Sequence, residues 1–218
     1  MGSDPLGEKM IAIIDYGVGN LFSLKSSIAS IGKEALVTSD KSVIASADQV
    51  ILPGVGAFKD AVEKLRSRDL FDFVKEQAAT GKPFLGICLG MQMLFDKSFE
   101  YGEHEGLGLV PGEVRPIEGV IPANLDIPHM GWNALSFHAA SGEAFAESPI
   151  FKDLKEGDYV YFVHSYAAFN CDKNLIATAE YGVSLTAAVQ NGNVYGTQFH
   201  PEKSGEIGMK ILKAFAEL

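Results

Sequence analysis

From Met10 onward the chain reads as short apolar runs separated by amphipathic stretches. "MIAIIDYG" (Met10 to Gly17) is a compact apolar run ending in turn residues, as expected of a parallel strand buried on both faces. Asn20 is placed to cap a helix, "LFSLKSSIASIG", with Gly32 as its stop. "EALVTSD" predicts a second strand, and "DQVILPGVG" a third that runs into a glycine-rich turn. Two amphipathic segments follow between Ala57 and Ala79, with "RSRD" as a break. "KPFLGIC" predicts the next strand, and "LGMQMLFDKS" opens a helix. Strand and helix alternating in this way predict an α/β fold, an open, mostly parallel sheet flanked by helices.

The pattern changes at Gly106. From there to Phe137 glycine and proline are frequent and apolar runs are short, which predicts loops and antiparallel β additions in the second half. "DYVYFVHSYAAF", "LIATAEYG" and "LTAAVQNGNVYGTQF" predict further strands, with "QNGN" as a hairpin turn. "GEIGMKILKAFAEL" is an amphipathic helix. No repeat, low-complexity tract or linker interrupts the chain, so residues 10–218 are expected to form one domain. The first nine, "MGSDPLGEK", are polar, lack an apolar signal core, and read as a loosely attached or disordered leader.

Composition narrows the function classes. The 218 residues carry a formal net charge of −10, so a general binder of nucleic-acid backbone is not expected. No apolar run is long enough to span a bilayer, and a soluble cytoplasmic protein with no membrane partner is expected. Two cysteines, Cys88 and Cys171, make no disulfide framework.

Cys88 carries the sharpest chemical signal. In "GICLG" a strand passes directly into a helix, which puts the cysteine at the apex of a sharp turn. Gly86 and Gly90 relieve crowding where strand and helix approach. This is the nucleophile-elbow pattern with sulfur in place of oxygen. A helix N-terminus favours the thiolate, and the N–H of Leu89 is free to face a developing oxyanion. A cysteine merely buried in a strand is the bland alternative, and Cys171, in "FNCDKN", is assigned to it.

A thiolate needs a base, and the base an orienting group. His104 and His138 lie in polar stretches that read as solvated loop. His200 ends an apolar strand and opens "HPEKS", with Glu202 two residues on. In an extended segment those side chains share a side, so the carboxylate can hold the imidazole. Parallel-sheet enzymes gather chemistry at the carboxyl ends of strands, so "HPE" and "GxCxG" at two strand ends reinforce each other. "LPGVGAF" supplies a glycine turn able to aim a second N–H at an oxyanion. An ordinary βα turn is the alternative there. A phosphate-binding loop is disfavoured, because no Lys-Ser/Thr follows.

"PGVGAF", "GICLGMQ", "YFVHSYA" and "QFHPEKS", in this order and spacing, resemble the class I (triad) glutamine amidotransferases, a flavodoxin-like α/β family. Within it, "IDYGVGN", "PHMGWN" and the lysine of "HPEKS" are similar to the glutaminase subunits of imidazole glycerol phosphate synthases, of histidine biosynthesis. The resemblance covers nearly all of Met10 to Leu218, and nothing in it accounts for "FHAASGEAFAESPIF". It implies Cys88 as nucleophile, His200 as general base and then acid, and Glu202 as orienting carboxylate. Glutamine would be hydrolysed through a glutamyl thioester to glutamate and ammonia, with no cofactor and no metal.

The resemblance further implies backbone donors at Val55 and Leu89 for the oxyanion, with Gly54 and Gly56 flanking the former. It places Gln92, His164, Ser165 and Tyr166 against the substrate's amino-acid end. It implies heterodimerisation with a (β/α)8-barrel synthase subunit that receives the ammonia and makes imidazole glycerol phosphate and AICAR. Asn20, His129, Met130, Gly131, Trp132 and Lys203 would line the face toward that subunit. Val55, β-branched between two glycines, marks a peptide able to flip, so an oxyanion site completed only by the partner is expected. Three alternatives compete. The first is a glutaminase serving anthranilate, carbamoyl phosphate or purine synthesis, against which "HMGWN" and "HPEKS" discriminate. The second is a cysteine peptidase of similar fold, which would need an open peptide groove. The third is an inactive binding protein, against which an intact Cys–His–Glu set argues.

Overall fold

The structure is a computed structural model that describes residues 9–139 and 141–218. The expectation for the leader therefore lies outside the described residues, apart from Lys9, whose Nζ reaches the Glu217 carbonyl at 3.5 Å.

The first half alternates strand and helix as its apolar pattern predicts. β1 (Ile11–Ile14), α1 (Leu21–Ser30), β2 (Ala35–Thr38), α2 (Lys41–Ser46), β3 (Gln49–Gly54), α3 (Phe58–Ser67), α4 (Phe71–Ala79), β4 (Phe84–Cys88) and α5 (Leu89–Met93) follow in order. Asn20 caps α1 as expected, its Oδ1 accepting from the Ser23 N–H at 3.3 Å, and Gly32 follows with φ +75°. The break between α3 and α4 falls at Asp69, which takes φ +54°. Helix α2 carries no apolar stripe. It starts because Asp40 Oδ1 accepts from Ser42 N–H at 2.7 Å and from Val43 N–H at 3.4 Å.

Two segments depart from the expected pattern. The helix after Cys88 is a single short turn of five residues, and "FDKS" leaves it as a strand, β5 (Phe95–Ser98). A helix this short adds little macrodipole, so the N–H groups of the turn, not a long helix, supply the positive end near Cys88. The run "DYVYFVHSYAAF" divides at Ser165 into β9 (Tyr159–His164) and β10 (Tyr166–Phe169). The remaining elements are β6 (His104–Glu105), β7 (Val110–Pro116), β8 (His129–Ser136), β11 (Leu175–Glu180), β12 (Ser184–Asn191), β13 (Val194–Thr197) and α6 (Gly205–Ala216). The hairpin of β12 and β13 turns at Gly192, φ +59°, where "QNGN" predicts it.

The large sheet has nine strands in the order β2-β1-β3-β4-β13-β12-β11-β8-β9. Its first five strands are parallel neighbours in the doubly wound order, and the other four pairings are antiparallel. The antiparallel additions are thus as extensive as the parallel half. A second sheet runs β10-β7-β5-β6. Alternation along β1 divides its side chains between two cores. Ala12 and Ile14 pack with Ile44, Phe58, Leu65 and Val74 of α2, α3 and α4. Ile11 and Ile13 pack with Leu24 and Ile28 of α1 and with Ile211 and Phe215 of α6. Among the described residues no helix is long and apolar enough to cross a membrane.

Candidate active site

β3, β4 and β13 lie side by side in the sheet, and their carboxyl ends carry "PGVG", Cys88 and the approach to His200. Cys88 ends β4, adopts φ +53° and ψ −110°, and immediately precedes α5. A side chain in that region is strained, which is the mark of the elbow expected from "GICLG". The flanking glycines are demanded by sterics. A Cβ on Gly90 would lie 1.8 Å from the Leu52 carbonyl oxygen, and one on Gly86 would lie 2.7 Å from that of Gly90. The Gly90→Ala protein is accordingly expected to lose several kcal/mol of stability, above the roughly 1–3 kcal/mol of ordinary overpacking, because backbone must move. Urea unfolding measures this; a midpoint equal to wild type would contradict the packing described.

His200 follows β13. Its N–H donates to the Tyr161 carbonyl at 3.0 Å, and its own carbonyl accepts from Ser204 Oγ at 2.6 Å. His200 Nδ1 lies 2.8 Å from Glu202 Oε1, and both side chains are almost fully buried. The pairing matches expectation, but its geometric cause differs. Residues 201–203 form a 3-10 turn, so the carboxylate reaches the ring by the chain curling back and not by extended alternation. Cys88 and the imidazole line the same cavity. Burial alone would push His200 down; the hydrogen bonds and charges of Cys88 and Glu202 outweigh it and raise the imidazole to about 9. Glu202 Oε2 is buried with no partner among the described residues. It lies at a cavity of about 10 Å3 shared with Asn20, Leu24, Pro53 and Val55.

A cavity of about 310 Å3 opens in front of the sulfur. Val55, Gly56 and Leu89 border it on the Cys88 side, and Gln92, His164, Ser165 and Tyr166 on the other. Leu89 is the first residue of α5, so its N–H has no intrahelical acceptor. Val55 is exposed, and Gly56 takes φ +95°. Gly54 is buried; a Cβ there would lie 2.8 Å from the Gly90 nitrogen and from the Tyr16 hydroxyl. The structure thus brings the expected oxyanion and substrate segments to one cavity.

Two further wall residues, Glu100 and Tyr101, carry no sign in the sequence motifs. Glu100 Oε2 accepts from the Phe58 N–H at 2.5 Å, which anchors the carboxylate at the start of α3. Tyr101 is 87% exposed and meets Tyr166 edge-on at 6.4 Å. They come from a turn 12 and 13 residues past Cys88, and only the fold of β5 and its neighbours returns that turn to the site. Cavities of about 660 and 490 Å3 lie beside the segment around residues 143–154, away from this chemistry.

The residues expected to face a partner divide. Met130 and Trp132 are exposed by 64% and 52%, Lys203 and Asn20 are exposed, and Gly131 is half-buried. A Cβ on Gly205 would lie 3.8 Å from the Trp132 ring, so Trp132 sits beside the turn that bears Lys203. His129 departs from the expectation, being 1% exposed. Alternation along β8 turns it inward where Met130 and Trp132 turn outward. Its ring stacks on Tyr181 with centroids 4.0 Å apart, and its Nδ1 lies 2.9 Å from His164 Nε2. Its Nε2 lies 3.0 Å from Asn133 Oδ1. Burial pushes both imidazoles down, His164 to about 3. His129 therefore links β8 to this cavity through His164 and offers no surface.

The chain is similar to known proteins along nearly its whole length. The family model described as "Glutamine amidotransferase class-I" matches residues 12–217. A protein of Oceanobacillus iheyensis named "Imidazole glycerol phosphate synthase subunit HisH" is 48% identical over 210 residues, covering 96% of this chain and 99% of its own. A Lactococcus lactis protein of the same name is 50% identical over 210 residues, covering 96% and 98%. Among solved structures, "Structure of PurLQS from Thermotoga maritima" superposes with a TM-score of 0.72 at 20% identity, covering 96% and 98%. "Crystal structure of glutamine amidotransferase" gives 0.71 at 18% identity, covering 95% and 99%. At those identities the solved structures speak for the fold alone, while the sequence matches, nearly end to end on both sides, carry the family: this chain belongs to the class I glutamine amidotransferases.

Proposed function

We propose that this protein is the glutaminase subunit of an imidazole glycerol phosphate synthase, with residues 10–218 forming a single amidotransferase domain. The enzyme class follows from the family and from relatives at about half identity that bear that subunit's name. The observation that carries the chemical reading is the His200–Glu202 pair, 2.8 Å apart, on the wall of the cavity that Cys88 also lines at the ends of neighbouring strands.

In this reading the sulfur's electron pair forms a bond to the side-chain amide carbon of glutamine, and the C=O π pair moves to oxygen. The N–H groups of Leu89 and of Val55, with Gly54 and Gly56 setting the loop, face that oxyanion. Collapse breaks the C–N bond, and the nitrogen leaves as ammonia with a proton from His200. Water then attacks the thioester, His200 takes its proton, and the C–S bond breaks to return the sulfur and release glutamate. Glu202 holds the ring so that Nε2 faces sulfur and substrate, and it stabilises the imidazolium. Glutamine's ammonium would meet the anchored Glu100 carboxylate, and its amino-acid end would lie against Gln92, His164, Ser165 and Tyr166. Ammonia passes to a (β/α)8-barrel synthase subunit docked on the face of Met130, Gly131, Trp132, Lys203 and Asn20.

The test is glutamate release with and without a synthase barrel and its phosphoribulosyl nucleotide. The exposure of Val55 and the positive φ of Gly56 support an oxyanion site that the partner completes. Since one missing donor typically costs about 10²–10³ in rate, the complex is expected to turn over glutamine faster than the free subunit by roughly that factor. Equal turnover in both would reject partner-completed assembly.

A further inference from the structure

Gln198, wholly buried two residues before His200, has no part in the scheme above. We propose that it is a further catalytic residue, donating a hydrogen bond from Nε2 to the Cys88 sulfur and stabilising negative charge there before attack and when the thiolate leaves the thioester. The proposal rests on the reading of Cys88 as nucleophile.

Gln198 Nε2 lies 3.7 Å from Cys88 Sγ, within reach of an N–H···S hydrogen bond. An amide's nitrogen and oxygen are distinguished by their surroundings, and here the surroundings leave one solution. The Tyr166 carbonyl can only accept, and the Gln92 amide group 3.0 Å from it must therefore be its nitrogen. That nitrogen's second hydrogen points to the Gln198 amide at 3.0 Å, which must present its oxygen. Gln198 is left with its nitrogen toward the sulfur. His164 Nδ1, 2.9 Å from the same Tyr166 carbonyl, anchors the far end of the series.

The series has two consequences. Both hydrogens of the Gln92 amide are engaged in it, so Gln92 meets the substrate through its oxygen, an acceptor. The sulfur, in turn, lies 3.7 Å from the Gln198 donor and 4.0 Å from the Val163 carbonyl, with His200 on the wall of the same cavity. A buried amide is costly unless its hydrogens find acceptors, and a thiolate is a better acceptor than a thiol. The same polarity that satisfies Gln198 therefore favours the charged sulfur.

The test uses the full chain, alone and with the synthase barrel, carrying Gln198→Met, which keeps length and volume but removes the donor. Two properties are read: the pH profile of Cys88 alkylation by iodoacetamide, mapped by peptide mass, and the steady-state constants for glutamine. The alkylation profile is expected to move to higher pH and kcat to fall by about 10–10²-fold, with any rise in KM from the freed Gln92 amide smaller than the fall in kcat. Gln198→Glu, which still accepts from Gln92 but turns a carboxylate oxygen to the sulfur, is expected to move the profile further. It carries the test if the methionine variant does not fold. A wild-type profile in either folded variant, or a rise in KM with kcat intact, would overturn the proposal. If Cys88→Ala still hydrolyses glutamine, the nucleophile assignment fails instead, so the two failures are distinguishable.

Discussion

Cys88→Ala is expected to lower glutamine hydrolysis by about 10⁴–10⁶-fold, the scale on which removing a covalent nucleophile acts. The loss should appear in kcat, with KM for glutamine little affected. In the proposed mechanism the sulfur enters the reacting bond, while binding would be spread over the cavity wall formed by Gln92, His164, Ser165 and Tyr166. The fold should survive. Cys88 holds φ +53° for the sake of the elbow, and alanine at that position is no more strained than cysteine. The complex with the synthase subunit should form as before, because Met130, Trp132 and Lys203 lie on the outer face. Steady-state assays with a circular dichroism melt read both outcomes. Retained turnover in the folded variant would remove Cys88 from the chemistry.

Glu202→Gln is expected to cost about 10²–10⁴ in kcat, the larger figure being that of the analogous change in a serine triad. The two side chains are nearly isosteric, so packing is preserved and the effect is electrostatic. A glutamine that turns its amide nitrogen to His200 Nδ1 makes that atom an acceptor. The ring proton then sits on Nε2, where the base needs a lone pair. The carboxylate also contributes to the rise of His200 to about 9, though burial acts the other way. A histidine with a raised native pKa adds stability that is complete below its unfolded value, about 6.5, and is lost as pH rises through the native value. Wild-type stability should therefore decline between about pH 6.5 and about 9, and that decline should be shallower in Glu202→Gln. Denaturant unfolding along that pH range checks the sign; an unchanged slope would mean that Glu202 does not hold the imidazolium.

Much of the site is legible in the chain because it stands at the ends of strongly patterned elements. Apolar runs locate β3, β4 and β13, and glycine spacing marks the elbow. "HPE" places a histidine and a carboxylate within two residues. The reason inferred for that pairing is wrong in detail, since a 3-10 turn and not an extended segment brings Glu202 to His200. Less legible is whatever depends on contacts distant in sequence. Helix α2 rests on the Asp40 cap and not on periodicity. "FDKS" follows a helix-like run, yet pairs with β7 because the second sheet needs a strand there. Glu100 and Tyr101 reach the cavity only through that sheet. His129 stands in a motif associated with the partner face, yet β8 alternation and the Tyr181 ring draw it inside. Gln198 shares the "QFHPE" stretch with His200, but its partner, Gln92, lies 106 residues away.

The most direct measurement of the central claim is an acid quench during turnover with the synthase subunit present, followed by intact and peptide mass analysis. A glutamyl adduct on the peptide containing Cys88, absent from Cys88→Ala, is the predicted result. Glutamate formed at the full rate with no adduct trapped at any time point, or an adduct on Cys171, would contradict it.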